Sequence, residues 1–368
     1  RDTGVQVEPW VAKSVAKVFD YHNLHYNNTE GNGQPSFTKA FLQAHPHEVA
    51  AKILRLRELD KASNTFVDNI LKFSHKGRIH CEFHQLRSDD GGTVTGRFSS
   101  SNPNLQQIPA RDPEIKAMIR GLFVPDDDCK WGSFDYSSQE PRLLVHYCAS
   151  LNEEDRHPAI DDVVAEYHKG DADFHQMVAD MANITRKQAK TVNLGIMYGM
   201  GVGKLSHTMD ISPEEAKELL NQYHKKVPFV KGLADRVSGA AAKHGQIRTI
   251  LGRLCRFNMW EPRTFGYNKP MPREAAEKEY GMHLRRAFTY KALNRLIQGS
   301  AADQTKQAMV ECYKEGLVPL LTVHDELCFN VESKEQAARI TEIMETSLEL
   351  KVPSKVDQEL GNNWGEVG

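Results

Sequence analysis

The chain has 368 residues and a formal net charge of −2, with 40% hydrophobic and 26% charged residues, a globular composition with room for two or three subdomains. No run of eighteen apolar residues occurs, so nothing in it is expected to span a membrane, and the opening RDTGVQVEPW lacks the basic-then-apolar pattern of a secretory signal. The six cysteines (Cys81, Cys129, Cys148, Cys255, Cys312, Cys328) form no C-x-x-C pair, which argues against a zinc ribbon and for a reducing compartment.

Residues 1–7 read as a short strand, and 8–75 as mostly helical, broken by the turn-rich NNTEGNGQPS. Val49, Ile53, Leu56 and Leu59 recur at helical spacing within 46–73. KGRIHCEFHQ (76–85) suggests a turn and a strand, and the Gly- and Ser-rich 89–109 an irregular segment. CKWGSFDYSSQEPRLLVHYCA (129–149) begins as a strand and ends as a helix, 160–256 is a helical block, and 259–279 is a loop. A long helix over 285–316, a hairpin around TVHDELCFNV (322–331) and a helix over 334–350 complete the chain. Strands thus lie far apart in sequence with helices between, which predicts an α+β fold whose sheet is assembled from both ends of the chain. From Thr185 to Arg256 there are 13 Lys/Arg against 5 Asp/Glu, a local charge of +8; such a block fits a subdomain that handles a polyanion, or a solvated helical surface.

Three segments carry chemistry. In the hairpin, His324 and Asp325 fall at the turn, where a desolvated carboxylate is costly unless it is paired or metal-bound; a plain surface turn is the alternative. Asp135 also ends an apolar strand, and two strand-end aspartates in one sheet suit hard divalent cations together with substrate phosphates. Two ions about 3.5–4 Å apart would serve an attacking and a leaving oxygen. In TRKQAKTVNLGIMYGMG (185–201), Arg186, Lys190, Leu194 and Tyr198 share roughly one helix face. Cations suit a triphosphate, and an apolar residue and a ring suit a sugar and base; the alternative is an ordinary helix with solvated cations.

Taken together and in this order, the segments resemble the family A DNA polymerases, the group of bacterial polymerase I and many phage replicases. TGRFSSSNPNLQQIP resembles that family's TGRLSS-x-x-PNLQNIP; DYSSQEPR is similar to motif A, RKQAKTVNLGIMYG to motif B and VHDE to motif C; NRLIQGSAADQTKQAM (294–309) resembles the long palm helix and GNNW (361–364) the usual C-terminal end. The resemblance covers essentially the whole chain. It implies a right-hand fold with a palm of antiparallel sheet and helices, helical fingers and a helical thumb. The expected division is thumb and start of the palm at 1–88, palm at 89–150, fingers at 151–284 and palm again at 285–368. The opening GVQV is similar to the start of the thumb and palm, so the chain is expected to be a polymerase module, either a fragment or one that lost or never had an exonuclease domain.

The resemblance also implies roles. Asp135 and Asp325 would hold two Mg²⁺ ions, for which Mn²⁺ could substitute, with the Tyr136 carbonyl as a further ligand and Glu326 in support. Because side chains alternate along a strand, Glu326 is expected to point away from Asp325. Arg186, Lys190 and His175 would hold the incoming triphosphate. Leu194, Tyr198, Glu140 and Gln139 would meet the rest of the nucleotide, with Glu140 excluding a ribose 2′-OH. Arg97, Asn104, Gln106, Arg111, Asn294, Gln298 and His324 would touch primer–template DNA. Minor-groove acceptors are nearly sequence-blind, so such donors test pair shape. Departures from the family are Ser138, Gln139 and Pro141 in motif A, Leu194 for an aromatic residue in motif B, and Tyr290 for an arginine.

The implied activity is template-directed DNA synthesis from dNTPs in a cytoplasmic compartment, bacterial, phage-infected or organellar. A processivity factor or an upstream exonuclease or helicase domain is a possible partner. A single-subunit RNA polymerase and a non-catalytic DNA-binding subunit are the competing readings. Glu140 argues against the first and the Asp135, Lys190 and Asp325 set against the second.

Overall fold

The computed structural model describes every residue except 1–6, 30, 87–90, 111, 171, 265 and 267. The expected strand at 1–7 therefore lies almost wholly outside the described residues. Two compact units emerge, one of 1–82, 101–123 and 364–366, the other of 83–100, 124–363 and 367–368.

The first unit is helical: α1 (Ala12–Tyr21), α2 (Lys39–Ala44), α3 (Glu48–Lys61), α4 (Asp68–Phe73) and α5 (Pro113–Arg120). Its core gathers Val15, Phe19, Phe37, Leu42, Val49 and Ile53, with the Phe19 and Phe37 rings 4.8 Å apart. A six-residue π-helical stretch, Ala62–Val67, joins α3 to α4.

The second unit is built on one antiparallel sheet: β1 (Lys130–Tyr136), β2 (Leu321–Val323), β3 (Glu326–Val331) and β4 (Val356–Gly361), in the spatial order β2-β3-β1-β4. Its helices are α6 (Gln139–Ala149), α7 (Ile160–Lys169), α8 (Phe174–Ala182), α9 (Arg186–Met197), α10 (Val202–Met209), α11 (Pro213–Lys226), α12 (Pro228–His244), α13 (Arg273–Tyr280), α14 (Ala292–Lys314) and α15 (Lys334–Thr346). Alternation divides the sheet. Phe134, Tyr136, Leu327, Phe329, Val331 and Val356 pack against Ala308 and Cys312 of α14 and Ile340, Ile343 and Met344 of α15. Gly132 lies where a Cβ would meet the Val331 Cγ2 at 2.5 Å, so this crossing of β1 and β3 needs a residue without a side chain. The opposite face carries Ser133, Asp135 and Glu326 beside buried Trp131, Leu321, Val323 and Cys328.

A second core joins α6–α12 to α14 through Leu143, Leu144, Val178, Val192, Tyr223 and Leu296. Local signals start several of these helices: α9 and α11 open on capping boxes, Thr185 with Gln188 and Ser212 with Glu215.

Three expectations change. Residues 246–256 are a β-hairpin rather than the end of the helical block. Within the expected loop at 259–279, Met259–Pro262 pairs with Met271–Pro272 and with Leu284–Arg286, and Arg273–Tyr280 forms α13. There the guanidinium groups of Arg273 and Arg286 lie over the Trp260 ring, at 5.2 and 4.5 Å from its centroid, and Glu261 pairs with Arg285 directly across the strands at 2.8 Å. Strands of two to four residues are too short for a period-2 pattern to register, and cross-strand pairs order them instead. The long helix runs from Ala292 to Lys314, shorter at its start than 285–316, because Leu284–Arg286 pairs as a strand.

Candidate active site

β1 emerges from the core at Asp135, whose side chain is open to solvent between buried Phe134 and Tyr136. Asp325 belongs to the tight turn joining β2 and β3, where His324 takes φ 58°, an uncommon left-handed conformation for a residue with a side chain. The Tyr136 amide donates to the Asp325 carbonyl at 3.4 Å. In the β3–β1 register Glu326 is the direct partner of Asp135, so the two side chains share a face. The Glu326 carboxylate accepts hydrogen bonds from Ser133 Oγ at 2.6 Å and Cys328 Sγ at 3.3 Å, both on that face. This corrects the alternation argument: Asp325 sits in the turn, so alternation along β3 says nothing of its direction relative to Glu326. Glu326 stands beside Asp135, half-committed to the sheet through Ser133.

Although Asp135 keeps one side exposed, the protein packed around its other side strips water from the carboxyl and pushes it up to about 7, and repulsion from Asp325, Glu326, Asp357 and Glu359 adds to this. Burial also raises Asp325, against its own amide and the nearby charges of Arg97 and His324. Two crowded carboxylates with raised affinity for a proton form a site where a cation relieves repulsion. Their oxygens, with the Tyr136 carbonyl, are hard donors suited to Mg²⁺. The Tyr136 side chain points elsewhere, donating to the Met344 carbonyl at 2.6 Å within the core, so only its main chain could serve. Among the described residues no three or more His, Cys, Asp and Glu side chains are grouped to hold a metal alone. An ion held here therefore needs oxygens from the main chain and from substrate.

Arg186, Lys190 and His175 are brought together by α8 and α9. Asp173 caps α8, accepting from the amides of His175 and Gln176, and its second oxygen accepts from Arg186 Nε at 2.6 Å. Lys190, one turn along α9, is exposed and makes no ion pair among the described residues. Burial holds His175 below its ordinary value against the pull of Asp173, with Lys190 and Arg186 depressing it further.

A second group centres on Glu140 in the first turn of α6. Arg97 Nη2 meets its Oε1 at 2.7 Å, and the Tyr198 hydroxyl lies 3.5 Å from its Oε2. Tyr198, at the end of α9, also reaches the side chain of Gln298 on α14. Asn294 is half-buried one turn earlier on α14, and His324 is exposed at the hairpin turn. Leu194 is half-buried and packs against the helical core.

Gln139 requires a correction. It is 4% exposed, and its Nε2 lies 3.2–3.3 Å from Ala301 O, Gln304 Oε1 and Thr305 Oγ1 of α14. Its amide ties α6 to α14 and is not presented to a nucleotide; a polar residue succeeds there because its partners are built in. Gln139→Ala is expected to lower stability by about 2 kcal/mol, since it leaves a cavity and unpaired groups, with no change in KM for nucleotide. Thermal melting and steady-state kinetics check both halves.

Asn104 and Gln106 belong to the first unit. The Asn104 side chain accepts from the Gln106 amide at 3.2 Å, capping a short 3₁₀ turn. Arg111 lies outside the described residues.

The model of DNA polymerase family A matches residues 12–366. The chain belongs to that family. Among its relatives in family A, a DNA-directed DNA polymerase of Pseudomonas phage M6 is 36% identical, over 97% of this chain and 57% of the relative. The thermostable DNA polymerase I of Thermus thermophilus is 33% identical, over 91% of this chain and 39% of the relative. Among solved structures, the POL domain of Pol1 from M. smegmatis, in complex with DNA primer-template and dNTP, superposes with a TM-score of 0.74 and 28% identity, covering 99% of this chain and 62% of that one. The chain thus spans a little over half of the phage relative and about two fifths of the Thermus one. The fold is the α+β right-hand fold of family A polymerases, and members of that family generally depend on a divalent metal. No described helix is long and apolar enough to cross a membrane.

Sequence reasoning passed over Asp173, Asn193 and Tyr223. Asp173 was legible as a helix cap before FHQM. Asn193 was legible only as a polar residue between Val192 and Leu194, and nothing local linked Tyr223 to it.

Proposed function

We propose that this chain is the polymerase module of a DNA-directed DNA polymerase, extending a primer 3′-OH with dNTPs on a DNA template. The observation that carries this reading is the meeting of strand-end Asp135 with turn-borne Asp325, beside Glu326, in the same unit as the Arg186–Lys190–His175 group. In the reaction the primer 3′-OH releases its proton to solvent and its oxygen bonds to the α-phosphorus as the bond to the bridging oxygen breaks, and pyrophosphate leaves with that electron pair. Asp135, Asp325 and the Tyr136 carbonyl would hold Mg²⁺, or Mn²⁺ in its place. When bound, such ions stabilise charge on the attacking and leaving oxygens. Lys190 and Arg186 would neutralise the triphosphate, and Glu326 would add negative charge beside Asp135.

In this reading 89–150 and 285–368 form the palm, 151–284 the fingers, and 1–88 the thumb and start of the palm. Arg97, Asn294, Gln298, His324, Asn104, Gln106 and Arg111 would contact primer–template. Leu194 and Tyr198 would flank the incoming nucleotide. A cytoplasmic setting, and a processivity factor or an upstream exonuclease or helicase domain as partner, complete the proposal. Primer extension on a DNA template with Mg²⁺, with ribonucleotides as the competing substrate, tests it. No incorporation, or preference for ribonucleotides, would reject it.

Glu140 sharpens the substrate class. Its carboxylate is held by Arg97 and Tyr198, a fixed position from which it can fill the space of a 2′-OH. Glu140→Ala should raise ribonucleotide incorporation at least about tenfold relative to dNTP, about 1.4 kcal/mol. An unchanged ratio would place the sugar gate elsewhere.

A further inference from the structure

His175, Asn193 and Tyr223 form a hydrogen-bonded line across three helices, α8, α9 and α11. The Tyr223 hydroxyl donates to Asn193 Oδ1 at 2.5 Å, and Asn193 Nδ2 lies 2.9 Å from His175 Nδ1. Asn193 and Tyr223 are both fully buried, at 0% exposure. A fully buried asparagine in mid-helix loses solvation that only good partners offset. The direction of the line follows from proton count. The Tyr223 phenol has no other acceptor among the described residues, so its proton goes to the Asn193 carbonyl. The Asn193 amide then presents N–H to His175, and Nδ1 must accept. A neutral imidazole whose Nδ1 accepts carries its proton on Nε2.

We propose that Asn193 and Tyr223 are positioning residues that lock His175 as its Nε2–H tautomer, so that it offers an N–H donor to the phosphates of the incoming nucleotide. This rests on the nucleotide-binding reading of Arg186, Lys190 and His175. The charged groups acting on the imidazole are Asp173 at the cap of its own helix and Arg186 and Lys190 on α9, and from α11 the neutral phenol of Tyr223 reaches it through Asn193. With two cations already present, a third would be repelled. A neutral donor adds direction to the site without adding charge that would retain pyrophosphate. The relay also ties the first turn of α8 and the middle of α9 to α11, so that one rotamer of His175 is favoured.

Asn193→Asp is the decisive variant. It keeps the shape and the Tyr223 hydrogen bond but turns the donor facing Nδ1 into an acceptor. His175 then carries its proton on Nδ1 when neutral, or on both nitrogens when charged. At low pH the imidazolium still donates from Nε2; as pH rises and the Nε2 proton leaves, a lone pair faces the phosphates. Histidine ¹⁵N NMR of the whole chain, with the His175 signals assigned by their loss in His175→Ala, should show Nε2–H in the parent at pH 8 and Nδ1–H in Asn193→Asp. The KM for dNTP, taken relative to the parent at each pH, should be within about twofold at pH 6 and about tenfold higher at pH 8.5, roughly one lost hydrogen bond to a charged group. Tyr223→Phe, which removes one hydroxyl from the core, should raise KM about threefold with kcat unchanged, by freeing the amide to turn. Persistence of Nε2–H in Asn193→Asp, or a KM ratio flat with pH, would overturn the relay. If instead His175→Ala leaves the KM for dNTP unaltered while the tautomer switches as expected, the relay stands and it is the nucleotide assignment of His175 that fails.

Discussion

Alanine at Asp135 or at Asp325 is expected to lower primer extension at least about a thousandfold, roughly 4 kcal/mol of transition-state stabilisation, while primer–template affinity changes little. Each carboxylate supplies oxygens where burial and mutual repulsion already favour a cation, and neither is among the residues proposed to contact the duplex. Single-turnover extension and fluorescence anisotropy with labelled primer–template separate the two effects. Near-normal turnover in either variant would remove that aspartate from the chemistry. The same site yields a stability result of opposite sign. The folded Asp135 carboxyl stands near 7 against an ordinary 3.8, so ionising it costs folding free energy. That cost is absent below pH 4 and grows as pH rises towards 7. In chelator at pH 8, Asp135→Asn should therefore melt higher than the parent, with the gain gone at pH 4. One side of the carboxylate is open to water, which discounts the gain to about 1 kcal/mol. A lower melting temperature at pH 8 would mean that the aspartate is structurally useful without metal.

Lys190→Ala should cut kcat by about a hundredfold or more, near 3 kcal/mol, with a smaller effect on KM. Lys190 and Arg186 lie a helical turn apart but differ in their commitments. Arg186 is tied to Asp173 at 2.6 Å, which neutralises part of its charge and fixes its place. Lys190 makes no such pair among the described residues, so its whole charge is available as negative charge develops on the transferring phosphate. Interactions that strengthen in the transition state appear in kcat. Arg186→Ala should act mainly on KM. Single-turnover rates at saturating dNTP decide the matter, and a Lys190 variant with an altered KM but unaltered kcat would make it a ground-state binder.

How much of this was legible beforehand varied by element. The strand-to-helix passage at 129–149 was, because an apolar run ending at Asp135 gives way to a helix that tolerates Pro141 in its first turn. The hairpin carrying Asp325 was, from apolar alternation about a polar turn. The order of the motif-bearing segments was also plain from the chain alone, and it carries the family assignment that the comparisons bear out.

The side of the sheet on which Glu326 stands was not legible, since it depends on where β3 begins relative to the turn and on the register by which it meets β1, almost two hundred residues earlier. β4 went unseen for a related reason: at 356–361 only Val356 and Gly361 are buried, and the strand exists because β1 offers it an edge. Gln139 was expected to meet the nucleotide until α14 supplied three partners for its amide, and Asn193 acquires a role only when α8 and α11 close on it. Periodicity, caps and turns are properties of neighbouring residues and are written in the chain. Register, burial of a polar group and the tautomer of a histidine are settled by partners distant in sequence, and only the folded contacts bring those partners within hydrogen-bond range.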